Sequence, residues 1–281
     1  MESNIKIVVD SSADTLELTG VPFACASLKI ITEGKEYVDD ARLDVDGMAQ
    51  ELREYKGRSS TACPGVGDWL TAFGDAEQVV CVTITSNLSG SYNAACIAKQ
   101  DYEEQHPGRQ VYVLDSLSAG PELRLILEKL REYVQAGLSF EEVCQSIQAY
   151  AKHTGLLFML ESMKNLANNG RVNPLIAKAA GLLGIRAVGK ASDVGTLEML
   201  EKSRGRDRAL VAIVENMRRL GYSGGRVRIS HCGNEQAANM LRTRLFAQFG
   251  QVPVEIYHAG GLCSFYAEQG GLLVGFEKGM L

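Results

Sequence analysis

Residues 79–92 read V-V-C-V-T-I-T-S-N-L-S-G-S-Y. Hydroxyl and amide side chains crowd the point where an apolar run stops and a helical pattern restarts. That combination suits an anion. A helix start offers unpaired N–H groups and a partial positive charge. Ser89 stands where it can cap the helix or give its hydroxyl to a ligand. A second hydroxyl cluster, Ser59-Ser60-Thr61-Ala62-Cys63-Pro64-Gly65, reads as a loop ahead of a helix carrying Trp69, Leu70 and Phe73. Binding groups concentrate in such loops. Arg171 follows a helix-ending glycine, Gly170, and an exposed, solvated arginine is its simpler reading. His258 closes an apolar run ahead of Ala259-Gly260-Gly261. A lone histidine is more often structural than catalytic, but the glycines would let a ligand approach closely.

Other motifs fail on inspection. Residues 184–191 read G-x-x-x-x-G-K-A, one residue from a phosphate-binding loop. Ala191 lacks the hydroxyl that would hold magnesium, and the segment reads as a strand after a helix, whereas such a loop runs from strand to helix. No G-x-G-x-x-G is present. The seven cysteines show no C-x-x-C pair, and His231-Cys232 has no metal-ligating neighbour in sequence, so no metal site is expected. They imply a reduced, cytoplasmic protein.

The elements that position these residues alternate. Apolar runs at 5–9, 79–84 and 111–114 read as strands. They end in Asp10-Ser11-Ser12, Thr85-Ser86-Asn87 and Asp115-Ser116. Strands ending in hydroxyls, alternating with helices, predict a parallel sheet with a polar carboxyl edge, where ligands sit in α/β folds. Residues 21–32 form a further apolar stretch. Helices are expected at 45–55, 122–135 (with Glu128 and Arg131 paired at i,i+3), 140–151, 163–169, from Asn173-Pro174 onward, and 206–220. Strands are expected at 156–160, 227–230, 252–257 and 271–276, and Asn234 is expected to cap a helix.

With 281 residues, the chain exceeds one ordinary domain. The texture changes near residue 154. Two α/β domains are therefore expected, 1–153 and 154–281: an N-terminal open, mostly parallel sheet with helices on both faces, and a C-terminal mixed-sheet domain. Composition is that of an ordinary globular protein, 46% hydrophobic and 22% charged. A net charge of −5 gives no footprint for nucleic acid. No apolar run is long enough for a membrane span, and residues 1–10 show no signal-peptide pattern.

Taken together, these segments resemble the DegV family, the fatty-acid-binding proteins that include the FakB subunit of bacterial fatty acid kinase. Asp10 to Asp14, D-S-S-A-D, matches its opening motif. Thr61-Ala62-Cys63-Pro64 matches its T-S-x-P at the threonine and proline, with Ala62 in place of the serine. T-I-T-S-N-L-S-G-S-Y resembles its T-I-S-S-x-L-S-G-T-Y. L-A-N-N-G-R-V resembles its L-x-x-x-G-R-I, and Lys202-Ser203-Arg204-Gly205 its K-x-R-G. His258 and Gly260 match its H-x-G-P-G, with Gly261-Leu262 in place of Pro-Gly. The resemblance implies a cytoplasmic carrier, not a catalyst, with no cofactor and no metal. Its ligand would be a long-chain fatty acid such as palmitate, stearate or oleate, buried near the domain junction. By the same resemblance Thr61 and Ser89 hold the carboxyl group. Arg171, Arg204 and His258 serve phosphate or partner handling, with a fatty acid kinase subunit as partner. The rival readings are an acyl- or phosphoryl-transfer enzyme and a lipid-responsive sensor.

Overall fold

The structure, a computed structural model, describes residues 5–175, 177 and 184–279. Strands β1 (Ile5–Asp10), β2 (Phe23–Ala26), β6 (Gln78–Thr83) and β7 (Gln110–Asp115) form one parallel sheet in the order β2-β1-β6-β7. Its strands are continuous apolar runs because both faces are covered. Alternate residues go to opposite layers. Ile5, Ile7, Val9, Val80 and Val82 pack on helices α4 (Pro121–Gln135) and α5 (Phe140–Ala151). Val8, Val79 and Cys81 pack with Trp69 and Phe73 of α2 (Val66–Phe73) and with Ala95, Ala98 and Tyr102 of α3 (Ser91–Gln105).

A second sheet is mixed. It runs β10 (Leu197–Arg204), β9 (Ile185–Ala191), β8 (Thr154–Leu160), β13 (Leu272–Glu277), β11 (Val227–His231) and β12 (Val254–His258). Only β11 and β12 are parallel neighbours among the described residues. Helices α7 (Arg206–Arg219) and α8 (Glu235–Phe249) cover one face, burying Leu210, Ile213, Leu241 and Leu245 against Leu157, Val188, Ile229 and Val274. The opposite face turns Leu156, Phe158, Leu160 and Leu273 toward the first half of the chain. A small antiparallel sheet, β4 (Glu36–Val38), β3 (Lys29–Ile31) and β5 (Ser60–Ala62), lies beside helices α1 (Val45–Glu54) and α9 (Gly261–Ala267). A short helix, α6 (Lys164–Asn168), follows β8.

Several local expectations are corrected. Residues 60–62 are a strand rather than loop, because β3 supplies the partner: Ile30 pairs with Thr61. The stretch 21–32 divides into β2 and β3, which join different sheets. Asn234 holds the N-cap position without capping, since its amide donates to the Gly270 carbonyl at 2.7 Å. Glu128 does not pair with Arg131. It is buried, and Arg228 of β11 donates to it twice, at 2.8 and 2.6 Å, with Arg124 at 3.5 Å. A partner one hundred positions away and largely desolvated outweighs a solvated helical neighbour. Of the helix expected from Asn173-Pro174, residues 174, 175 and 177 are helical and the remainder lies outside the described residues.

Candidate functional site

The two halves meet around a cavity whose empty space, open mouth included, is about 720 Å³. Its walls are apolar: Leu28 and Ile84 from the first half, Leu156, Phe158, Leu262 and Leu273 from the second. Four of its lining residues carry polar groups able to bond a ligand: Thr61, Ser89, Arg171 and Tyr266. These are contiguous. Thr61 Oγ1 lies 2.7 Å from the Tyr266 hydroxyl. The Arg171 guanidinium sits 5.7 Å from the centre of the Tyr266 ring. Arg171 Nε donates at 3.2 Å to the carbonyl of Leu88, the residue before Ser89. An otherwise greasy cavity thus carries one polar cluster.

Each member is placed by local structure with a clear cause. Thr61 is fixed by the β3–β5 ladder. Ser89 lies just before α3, whose N-cap is Gly90, so Ser89 is not the cap. Its oxygen accepts the Ser91 N–H at 3.3 Å, and its own proton has no acceptor among the described residues. The loop carrying it is clamped by Asp10 at the end of β1. One Asp10 oxygen accepts from Ile84 N at 2.9 Å and Ser91 Oγ at 2.6 Å; the other takes Ser12 Oγ and N. Burial still raises the Asp10 pKa above its usual value despite these donors.

Arg171 owes its place to Gly170, which adopts φ +73° after α6. Gly170 N donates to Ala167 O at 3.1 Å and Arg171 N to Leu166 O at 2.8 Å, the paired bonds of a Schellman helix stop. The N-G-R string is therefore a stop signal that turns the next side chain into the cavity. Tyr266 is carried by α9. Asp39 accepts from the first two N–H groups of that helix, Gly261 at 2.7 Å and Leu262 at 3.0 Å, and Asp14 accepts from Gly260 at 2.9 Å.

Of the residues singled out from sequence, the fold brings Thr61, Ser89 and Arg171 together. Arg204 and His258 do not line the cavity. Arg204 ends β10 exposed, beside Lys202 and Arg208. His258 faces out, its Nε2 3.1 Å from Asp46 and its Nδ1 2.9 Å from the Ala259 carbonyl. Tyr266 was not anticipated. Neither were the roles of Asp10, Asp14 and Asp39, although D-S-S-A-D already marks two of them. Gly221-Tyr222-Ser223-Gly224-Gly225 has the spacing of a hydrolase nucleophile elbow. It runs from α7 into β11, helix to strand, which is the reverse of an elbow. Among the described residues no group could hold a metal ion, and no helix is long and apolar enough to cross a membrane.

Comparison with known proteins follows the same outline. The profile of the DegV family, a family of uncharacterised proteins, matches residues 4–278. A DegV domain-containing protein of Streptococcus pneumoniae is 44% identical over 276 residues, 97% of this chain and 98% of that protein. The crystal structure of a DegV family protein from Eubacterium eligens, loaded with heptadecanoic acid, superposes with a TM-score of 0.96 at 44% identity, covering 98% of this chain and 100% of that one. The Fatty Acid Kinase (Fak) B3 protein of Streptococcus pneumoniae, loaded with linoleic acid, also gives 0.96, at 43% identity over 98% and 99% of the two chains.

Proposed function

We propose, since this chain belongs to the DegV family, that it binds one long-chain fatty acid and carries it, without itself being a catalyst. The observation that supports this most is the cavity: apolar throughout except for one cluster of Thr61, Ser89, Arg171 and Tyr266. That is the complement of an acyl chain with a single carboxylate. At about 0.8 kcal/mol per buried methylene, a long chain supplies on the order of 10 kcal/mol before ordering costs. The head group must then find donors, because a carboxylate left unpaired in such a place is costly. Thr61 and Ser89 each have a hydroxyl to give, and Arg171 uses only part of its donor set on Leu88 and Asn169.

The reading extends to a partner. A cytoplasmic carrier of this kind presents the carboxyl to a separate fatty acid kinase. Arg171 beside the carboxyl then serves the phosphate added to it, and Arg204 and His258, outside the cavity, serve the kinase surface. We divide the chain into 1–153 and 154–281, with the ligand at their junction. Denaturing extraction and mass spectrometry of the purified protein test the core of this reading. A fatty acid in near-stoichiometric amount is expected. A protein that is empty and also fails to take up palmitate or oleate would refute it.

A further inference from the structure

Tyr266 touches both Thr61 and Arg171, and the direction of its hydrogen bond matters. Between two hydroxyls either can donate. A phenol is the stronger acid and the better donor of the two. The guanidinium near its ring face draws electron density from it and strengthens that tendency. Burial pushes the Tyr266 pKa up, so it keeps its proton. No other described acceptor lies within reach of that proton, and a part-buried donor seeks a partner. Tyr266 therefore donates and Thr61 accepts. The Thr61 proton then has no described acceptor and is left for the cavity.

We propose that Tyr266 is a positioning residue: it fixes the rotor of Thr61 so that the threonine hydroxyl donates to the carboxylate of the bound fatty acid. The inference rests on the fatty-acid reading above. Successive donation from Tyr266 to Thr61 to carboxylate polarises each bond in turn. The ligand anion is thereby favoured over its neutral acid, while the tunnel wall is left as it was.

The test compares palmitate with hexadecanol, a chain of the same length without a carboxylate, on wild type, Tyr266→Phe, Thr61→Val, Thr61→Ser and the Phe/Val double variant. Carbon NMR of carboxyl-labelled palmitate gives the pKa of the bound head group. Tyr266→Phe should weaken palmitate about fivefold, leave hexadecanol unchanged and raise the bound carboxyl pKa. Thr61→Val should lose at least as much, Thr61→Ser little, and the double variant no more than Thr61→Val alone. Equal losses for both ligands would make Tyr266 mere wall and overturn the proposal. So would a Tyr266→Phe loss larger than that of Thr61→Val and persisting in its background, because Tyr266 would then touch the carboxylate itself. Wild type that binds neither ligand fails the fatty-acid reading before any variant is compared.

Discussion

Asp14 should make the protein more stable in mild acid than in mild base. Its carboxyl is buried between the two halves, with Oδ1 accepting from Gly260 N at 2.9 Å and with the Cys263 thiol and the Ser230 hydroxyl beside it, which offset part of the burial cost. Burial, and after it the Asp39 carboxylate, push the Asp14 pKa up from 3.8 to about 7. A carboxyl with a raised folded pKa holds a proton that the unfolded chain releases. Stability therefore falls as pH rises from 3.8 to about 7 and levels off above. The full span is at most about 4 kcal/mol, at about 1.4 kcal/mol for each pH unit. Asp14→Asn keeps an acceptor for Gly260 and cannot ionise. Relative to wild type it should gain about 3 kcal/mol between pH 5 and pH 8, read by urea unfolding at each pH. A gap between the two proteins that does not change with pH would show that Asp14 is not the group responsible.

Three further outcomes are expected. Ser89→Ala should weaken fatty-acid affinity by about 1 kcal/mol or more while leaving the melting of lipid-free protein nearly unchanged, since Gly90 holds the cap position; equal destabilisation with and without lipid, at unaltered affinity, would return Ser89 to a structural role. Glu128→Gln should cost about 1–2 kcal/mol in urea unfolding, because it removes the charge of Arg228's nearer partner and leaves Glu255, 3.3 Å away, as the remaining carboxylate, whereas a loss of only a few tenths would mark an exposed pair. Gly195→Ala should cost about 1–3 kcal/mol and speed hydrogen exchange at 192–196, because Gly195 has φ +75° and an added carbon would lie 2.1 Å from Thr85 Oγ1; an unchanged urea midpoint would contradict the tight seating of that hairpin tip.

What was legible in the sequence is what local pattern controls. The β1, β6 and β7 runs announce a parallel sheet because burial on both faces leaves no polar alternation, and their polar ends mark the edge where Asp10 and Ser89 lie. Thr61 and Ser89 stood out as hydroxyls in breaks between elements. What stayed hidden depends on partners far along the chain. β5 is three residues long, too short for any periodicity, and exists because β3 is beside it. β10 carries charges on a half-exposed sheet edge and so shows no apolar signature. Tyr266 sits in a seven-residue helix whose start is held by Asp39, more than two hundred positions earlier. Glu128 was read against its own helix, the one place where its true partner could not be.

The pairing of Thr61 with Tyr266 across 205 positions also sets a timetable. Chains emerge from the ribosome at about 5–20 residues per second. The first sheet, with its loop of hydroxyls, can form many seconds before α9 and Leu273 exist to close the cavity over it. Contacts of such wide sequence separation form slowly. Until then Leu28 and Ile84, which line the finished cavity, lack the cover that Leu262 and Leu273 give them there. A free acyl chain, or a chaperone, would be the natural cover for that surface.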